Sequence, residues 1–172
     1  MYYYIFEPVK QSYQRKLQEK IKRLVLNLGI SGEIVSSSPA RTINDLVDIA
    51  LTKGFTTVVC VGNDLFIKKV LSALLLKVDL SDSKIAFGIV PLDYKDSFFA
   101  KKLKYQTPED ACQCLRYRNL KSWDVGFINP SKFFLSPLTA RTENQVTLKI
   151  ILPDYELMSS FTKLTINTDL LV

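Results

Sequence analysis

The chain has 172 residues, 47% of them apolar and 23% charged, with a formal net charge of +6. That length fits one domain, or one domain with a small appendage, and is enough to bury a core. There is no histidine, which excludes a Ser-His or Cys-His nucleophile within this sequence and removes the commonest metal ligand. Tyr2 to Phe6 reads as a strand stopped by Glu7-Pro8. Leu17, Ile21, Leu24, Val25 and Leu28 fall on one helical face, and Gly29 is a natural stop. Glu33 to Val35 is a short strand, followed by the polar loop Ser36-Ser37-Ser38-Pro39. Thr42 or Asn44 caps the next helix, which carries Leu46, Val47, Ile49, Ala50 and Leu51 and ends at Lys53-Gly54.

Phe55 to Val61 is an apolar, β-branched run ending in Gly62-Asn63-Asp64. The spacing predicts a helix directly after it, over Leu65 to Leu76. A buried strand that opens onto a helix N-terminus is where open α/β sheets bind ligands. Lys84 to Val90 is a further short strand closed by Pro91. Phe98 to Leu103 suits one or two helical turns. Thr107-Pro108-Glu109-Asp110 is a helix start of cap, proline and acid, for a helix running through Leu115. The alternation of strand and helix from Met1 to about Arg118 predicts an α/β fold with a parallel, helix-covered, Rossmann-like sheet. After Trp123 the pattern changes. Val125 to Ile128, Lys132 to Leu135, Val146 to Leu152 and Phe161 to Asn167 all read as strands, giving a small β-rich C-terminal part. The expected division is residues 1–122 and 123–172.

The three cysteines, Cys60, Cys112 and Cys114, do not form a disulfide framework. No apolar run reaches the length of a membrane span, and Met1 to Phe6 does not have the layout of a signal peptide. The expectation is therefore a cytoplasmic protein. The densest basic group, Lys95, Lys101, Lys102 and Lys104 beside Phe98 and Phe99, suits peripheral contact with an anionic lipid surface. Only the net charge favours nucleic acid, which is not expected as a partner.

Several segments, in order, resemble the diacylglycerol kinase catalytic-domain family, whose fold is shared with sphingosine and NAD kinases. Tyr4-Ile5-Phe6-Glu7-Pro8 looks like its first strand ending in Asn-Pro. Val58 to Phe66 looks like its strand followed by Gly-Gly-Asp-Gly-Thr. Gly88 to Ala100 looks like its Gly-Ile-Pro-Leu-Gly-Thr-Gly-Asn-Asp-Phe-Ala segment. Pro108 to Leu115 and Trp123-Asp124-Val125-Gly126 match the following helix and the entry to its β-rich second domain. The resemblance implies an α/β nucleotide domain joined to a β-sandwich, and transfer of the γ-phosphate of ATP to a lipid hydroxyl. It assigns nucleotide contacts to Gly62, Asn63, Asp64, Ser36, Asp93, Lys95, Asp96 and Ser97, and a Mg²⁺-linked carboxylate to Asp64.

The chain departs from the family at the glycines. Asn63, Leu65 and Phe66 stand for Gly, Gly and Thr, and Asp93-Tyr94-Lys95 for Gly-Thr-Gly. Glycine there lets backbone N–H groups approach phosphate oxygens with no Cβ in the way. The β-rich part is also shorter than the family's second domain, which normally supplies the lipid pocket and a catalytic carboxylate. Asp124, Glu143, Asp154, Glu156 and Asp169 fall in no family motif. The expected function is a non-catalytic, pseudokinase-like binding role with a degraded ATP site. The alternative is an active lipid phosphotransferase whose site is completed by a second copy. So small a β unit leaves apolar area and strand edges to cover, which suggests a homodimer.

Overall fold

The computed structural model describes residues 1–9, 11–78, 85–123, 125–128, 132–135, 138–151 and 156–166. Lys84, Asp124, Leu152, Asp154, Asn167 and Asp169 lie outside them. The chain divides into two compact units, Met1–Lys121 and Ser122–Val172.

The first unit is a four-stranded parallel sheet in the order β2-β1-β3-β4, formed by Tyr2–Phe6 (β1), Gly32–Ser36 (β2), Thr57–Gly62 (β3) and Ala86–Pro91 (β4). Ser12–Asn27 (α1), Ile43–Thr52 (α2), Asp64–Leu75 (α3), Phe98–Leu103 (α4) and Pro108–Arg116 (α5) connect and cover it. The right-handed crossover rule sends successive connections to opposite faces when the chain reverses direction. Accordingly α1 packs against α5, and α2 against α3. Each residue of β3 is buried, as expected for a strand covered on both faces.

The core splits by strand alternation. Tyr4, Phe6, Val59, Val61 and Val90 meet Ile21 and Val25 of α1 and Ala111 and Cys112 of α5. The intervening Tyr3, Ile5, Val58 and Cys60 are fully buried with Leu46, Val47 and Ile67 of α2 and α3. Burial of each such large apolar side chain stabilises the fold by about 1.5–3 kcal/mol. Two tyrosines of β1 also anchor this unit by hydrogen bonds. Tyr4 Oη donates to Ile30 O at 2.6 Å, and Tyr2 Oη to Leu115 O at 2.9 Å.

The helix ends follow the chemistry of the sequence. Thr42, rather than Asn44, caps α2, in a reciprocal capping box with Asp45. Thr107 and Asp110 do the same for α5, with Pro108 in the first turn. Gly29 and Gly54 follow α1 and α2 with φ of +67° and +71°, a backbone region open to glycine at no steric cost. All three cysteines are free thiols. Burial in α5 pushes the Cys112 thiol up to about 12.

The second unit consists of two antiparallel pairs, Gly126–Ile128 (β5) with Lys132–Phe134 (β6), and Leu138–Ile151 (β7) with Glu156–Ile166 (β8). β7 begins eight residues before the expected Val146, and its register with β8 shifts between Arg141 and Val146. Beyond that shift, Thr147, Lys149 and Ile151 stand opposite Ser160, Met158 and Glu156. Thr147 and Ser160 share a hydrogen bond of 2.7 Å, and Lys149 pairs with Glu156 at 2.7 Å.

Candidate functional site

The strand order places a topological switch point between β1 and β3. From β1 the chain moves to one side to form β2, then crosses back to form β3 on the other side. Ligands of open α/β sheets bind in the crevice outside the carboxyl ends of strands at such a point. Here those ends are Phe6-Glu7 and Gly62-Asn63-Asp64. The end of β4, running into Asp93–Ser97, lies next to β3, and Leu92 N–H donates to Gly62 O at 3.0 Å.

Asn63 is the N-cap of α3, its side-chain oxygen accepting the Phe66 N–H at 2.9 Å. Its other polar groups turn to β1. The Asn63 backbone N–H donates to Glu7 Oε2 at 2.8 Å, and its Nδ2 to Glu7 Oε1 at 2.7 Å. Glu7 is only 6% exposed. It is held from behind as well, with Gln18 Nε2 donating to its carbonyl at 2.7 Å. A buried carboxylate thus bridges the two strand ends at the switch point.

Asp64, in the first turn of α3, holds the start of α4. Its Oδ1 accepts the Ser97 hydroxyl at 2.5 Å, and its Oδ2 the Phe98 N–H at 2.6 Å. Ser97 is buried and in turn caps α4 by accepting the Ala100 N–H at 3.1 Å. Asp93 folds its own loop, its Oδ1 accepting from the Lys95 N–H at 2.9 Å and the Asp96 N–H at 3.2 Å. Asp96 is exposed, 3.9 Å from Lys101 Nζ.

Between these elements lies an open recess of ≈ 280 Å³, lined by Asn63, Asp64, Leu65, Asp93, Asp96 and Ser97. Three of the six lining residues are acidic and none is basic. Gly62 does not open onto it. A Cβ at that position would stand 2.6 Å from Phe66 Cδ1, so the ring of Phe66 fills the space glycine leaves. Leu65 is exposed at the rim. Tyr94 turns away from the recess, and its partly buried ring feels Cys112, Glu109 and Asp110 of α5. Desolvation, with those groups, raises its hydroxyl well above the ordinary tyrosine range.

The sequence-derived candidates are thus mostly neighbours. Asn63, Asp64, Asp93, Asp96 and Ser97 share the recess, and Lys95 joins through its amide to Asp93. Ser36 does not line it. Its hydroxyl donates to Phe6 O at 3.0 Å, which ties β2 to β1. Glu7 is the residue that motif reading passed over, although an acid in place of the family's asparagine at a strand end was the signal. Among the described residues, no group of three or more Cys, Asp or Glu side chains is placed to hold a metal ion.

An open parallel sheet with its crevice at the β1–β3 switch point defines a nucleotide-domain type of α/β protein. The chain belongs to the diacylglycerol kinase catalytic domain family, whose model matches residues 5–128. No curated protein matches it significantly. Among the described residues no helix is long and apolar enough to cross a membrane.

Proposed function

We propose that this chain is a diverged diacylglycerol kinase-like domain whose phosphate site is occupied by its own carboxylates, leaving a non-catalytic binding role. One observation carries the reading. Glu7, Asp64 and Asp93 accept the backbone N–H groups of Asn63, Phe98, Lys95 and Asp96 around the crevice. Such amides are what a phosphate cradle uses. A nucleotide phosphate would have to displace carboxylates already bonded there, in a recess lined by acids and no cation. Charge-assisted bonds of this kind contribute about 1.5–3 kcal/mol each.

ATP with Mg²⁺ fits this donor set poorly. Both oxygens of Asp64 hold the start of α4, and Phe66 fills the space above Gly62. No reaction step is therefore assigned to the chain. The β-rich part adds a homodimer to the proposal. The β7–β8 ribbon carries exposed Val146, Leu157 and Met158, and a two-stranded ribbon is marginal alone. Light scattering is expected to give twice the chain mass, and a monomer mass would remove this part.

Titration calorimetry with ATP–Mg²⁺ tests the central reading. The expected result is no saturable heat and no rise in melting temperature at millimolar nucleotide. Saturable binding that Asp64→Ala abolishes would overturn it in favour of a working phosphotransferase.

A further inference from the structure

The two helix layers of the first unit differ in charge. α1 carries Arg15, Lys16, Lys20, Lys22 and Arg23 against the single acid Glu19. On the other face, α2 and α3 carry Lys68 and Lys69 against Asp45, Asp48 and Asp64. Part of the α1 charge is neutralised within the fold. Lys22 pairs with Glu19 at 2.8 Å, and Lys20 with Glu109 of α5 at 2.7 Å. Arg15, Lys16 and Arg23 make no ion pair among the described residues. All three are exposed, at a helical spacing that puts them on one outward stripe, opposite the buried Gln18, Ile21 and Val25.

The stripe continues onto the neighbouring helix. α1 and α5 each follow a strand of the same parallel sheet and pack side by side, so they run in the same direction. The bond from Tyr2 Oη to Leu115 O places the end of α5 beside the start of β1. There the chain exposes Arg116, Arg118 and Lys121. Arg118 adopts a left-handed conformation at φ 50° as the helix ends. Between the cations stand apolar side chains with little cover. Tyr13 and Tyr117 are each 66% exposed, Leu26 69% and Leu120 68%.

We propose that the outer face of α1 and the end of α5 form a docking surface for an anionic lipid membrane. Cations near such a surface contribute about 1 kcal/mol each, which is about fivefold in affinity. Tyrosine and leucine beside them suit the headgroup–acyl boundary, where the ring or branched chain leaves water and the charge stays in it. This mixture favours a membrane over a nucleic acid, because leucines exposed to this degree have no use against a sugar-phosphate backbone. It differs from the contact expected at Lys95, Lys101 and Lys102, where Phe99 is fully buried and Lys101 lies near Asp96. The inference does not depend on whether the β1–β3 crevice holds a nucleotide.

Co-sedimentation of the full chain with vesicles tests it. Vesicles of equal parts phosphatidylglycerol and phosphatidylcholine are expected to bind the protein, and pure phosphatidylcholine vesicles are not. Replacing Arg15, Lys16 and Arg23 together by glutamine is expected to weaken binding roughly hundredfold. The matched replacement of Lys95, Lys101 and Lys102 is expected to change it less than about twofold. Tyr13→Ala with Leu26→Ala, at unchanged charge, is expected to weaken it about tenfold. The proposal is overturned if the anionic vesicles do not bind, or if the two charge triples weaken binding equally. It is also overturned if the apolar pair changes nothing, or if a short DNA duplex binds the chain more tightly than the vesicles do.

Discussion

The crevice at the ends of β1 and β3 and the outer face of α1 and α5 are opposites in how they treat an anion. At the crevice, where the fold would seat a phosphate, the chain supplies its own anions, Glu7, Asp64 and Asp93. On the outer face, Arg15, Lys16 and Arg23 are exposed with no carboxylate to pair them among the described residues. The crevice groups are buried or half-buried and bonded to backbone, so they act on stability. The face groups are solvated, so they act on association. Position in the fold, rather than charge count, separates the two roles.

The largest expected effect that tests this contrast is at Glu7. Glu7→Ala leaves the Asn63 N–H and Nδ2 without their acceptor in a closed site. Urea denaturation is expected to show a loss of about 3 kcal/mol. A loss under about 0.5 kcal/mol would mean that the carboxylate is not seated there. Arg23→Gln, by comparison, is expected to leave the same urea midpoint unchanged.

A smaller loss is expected at Gly62. Gly62→Ala drives a methyl group into Phe66, with a cost of about 1–3 kcal/mol. In a double-mutant cycle with Phe66→Ala, most of that cost is expected to vanish. Strict additivity would show that glycine is kept there for another reason.

The smallest effects lie at the helix caps. Thr42→Ala and Thr107→Ala are each expected to cost about 1 kcal/mol by thermal melting. The caps also give a pH dependence. Hydrogen bonds from Thr42 hold Asp45 below the ordinary aspartate range, and those from Gln106 and Thr107 do the same for Asp110. A lowered pKa adds stability that is present above the unfolded value and lost as pH falls through the folded one. Melting temperature is therefore expected to fall on acidification below the ordinary aspartate range. Asp110→Asn is expected to flatten that fall, and an unchanged profile would count against the cap assignment.

Much of the first unit was legible because its signals are local. Gly29 and Gly54 stop helices at positive φ, and Thr107-Pro108-Glu109-Asp110 starts one. The β-branched run before Gly62 announced a doubly covered strand. The strand order was not legible, since it depends on pairings distant in sequence such as Tyr2 with Thr57. The site divides in the same way. Asn63 and Asp64 mark a strand end that any parallel sheet would turn toward ligand. The role of Glu7 was hidden because its partner lies 56 residues further along. Asp93 read as misplaced charge, while the structure has it closing its own turn on Lys95 and Asp96. In the second unit, the early start of β7 followed from a register shift that alternation alone does not encode.

The most direct test of the central claim follows the crevice amides themselves. In an NMR titration of the isotope-labelled chain with ATP–Mg²⁺, the N–H signals of Asn63, Phe98, Lys95 and Asp96 report on the cradle, while α1 signals report loose binding to the basic face. The account expects the crevice signals to stay in place at millimolar nucleotide, even if the α1 signals drift. Saturable shifts of Asn63 and Phe98, lost in Asp64→Ala, would contradict it.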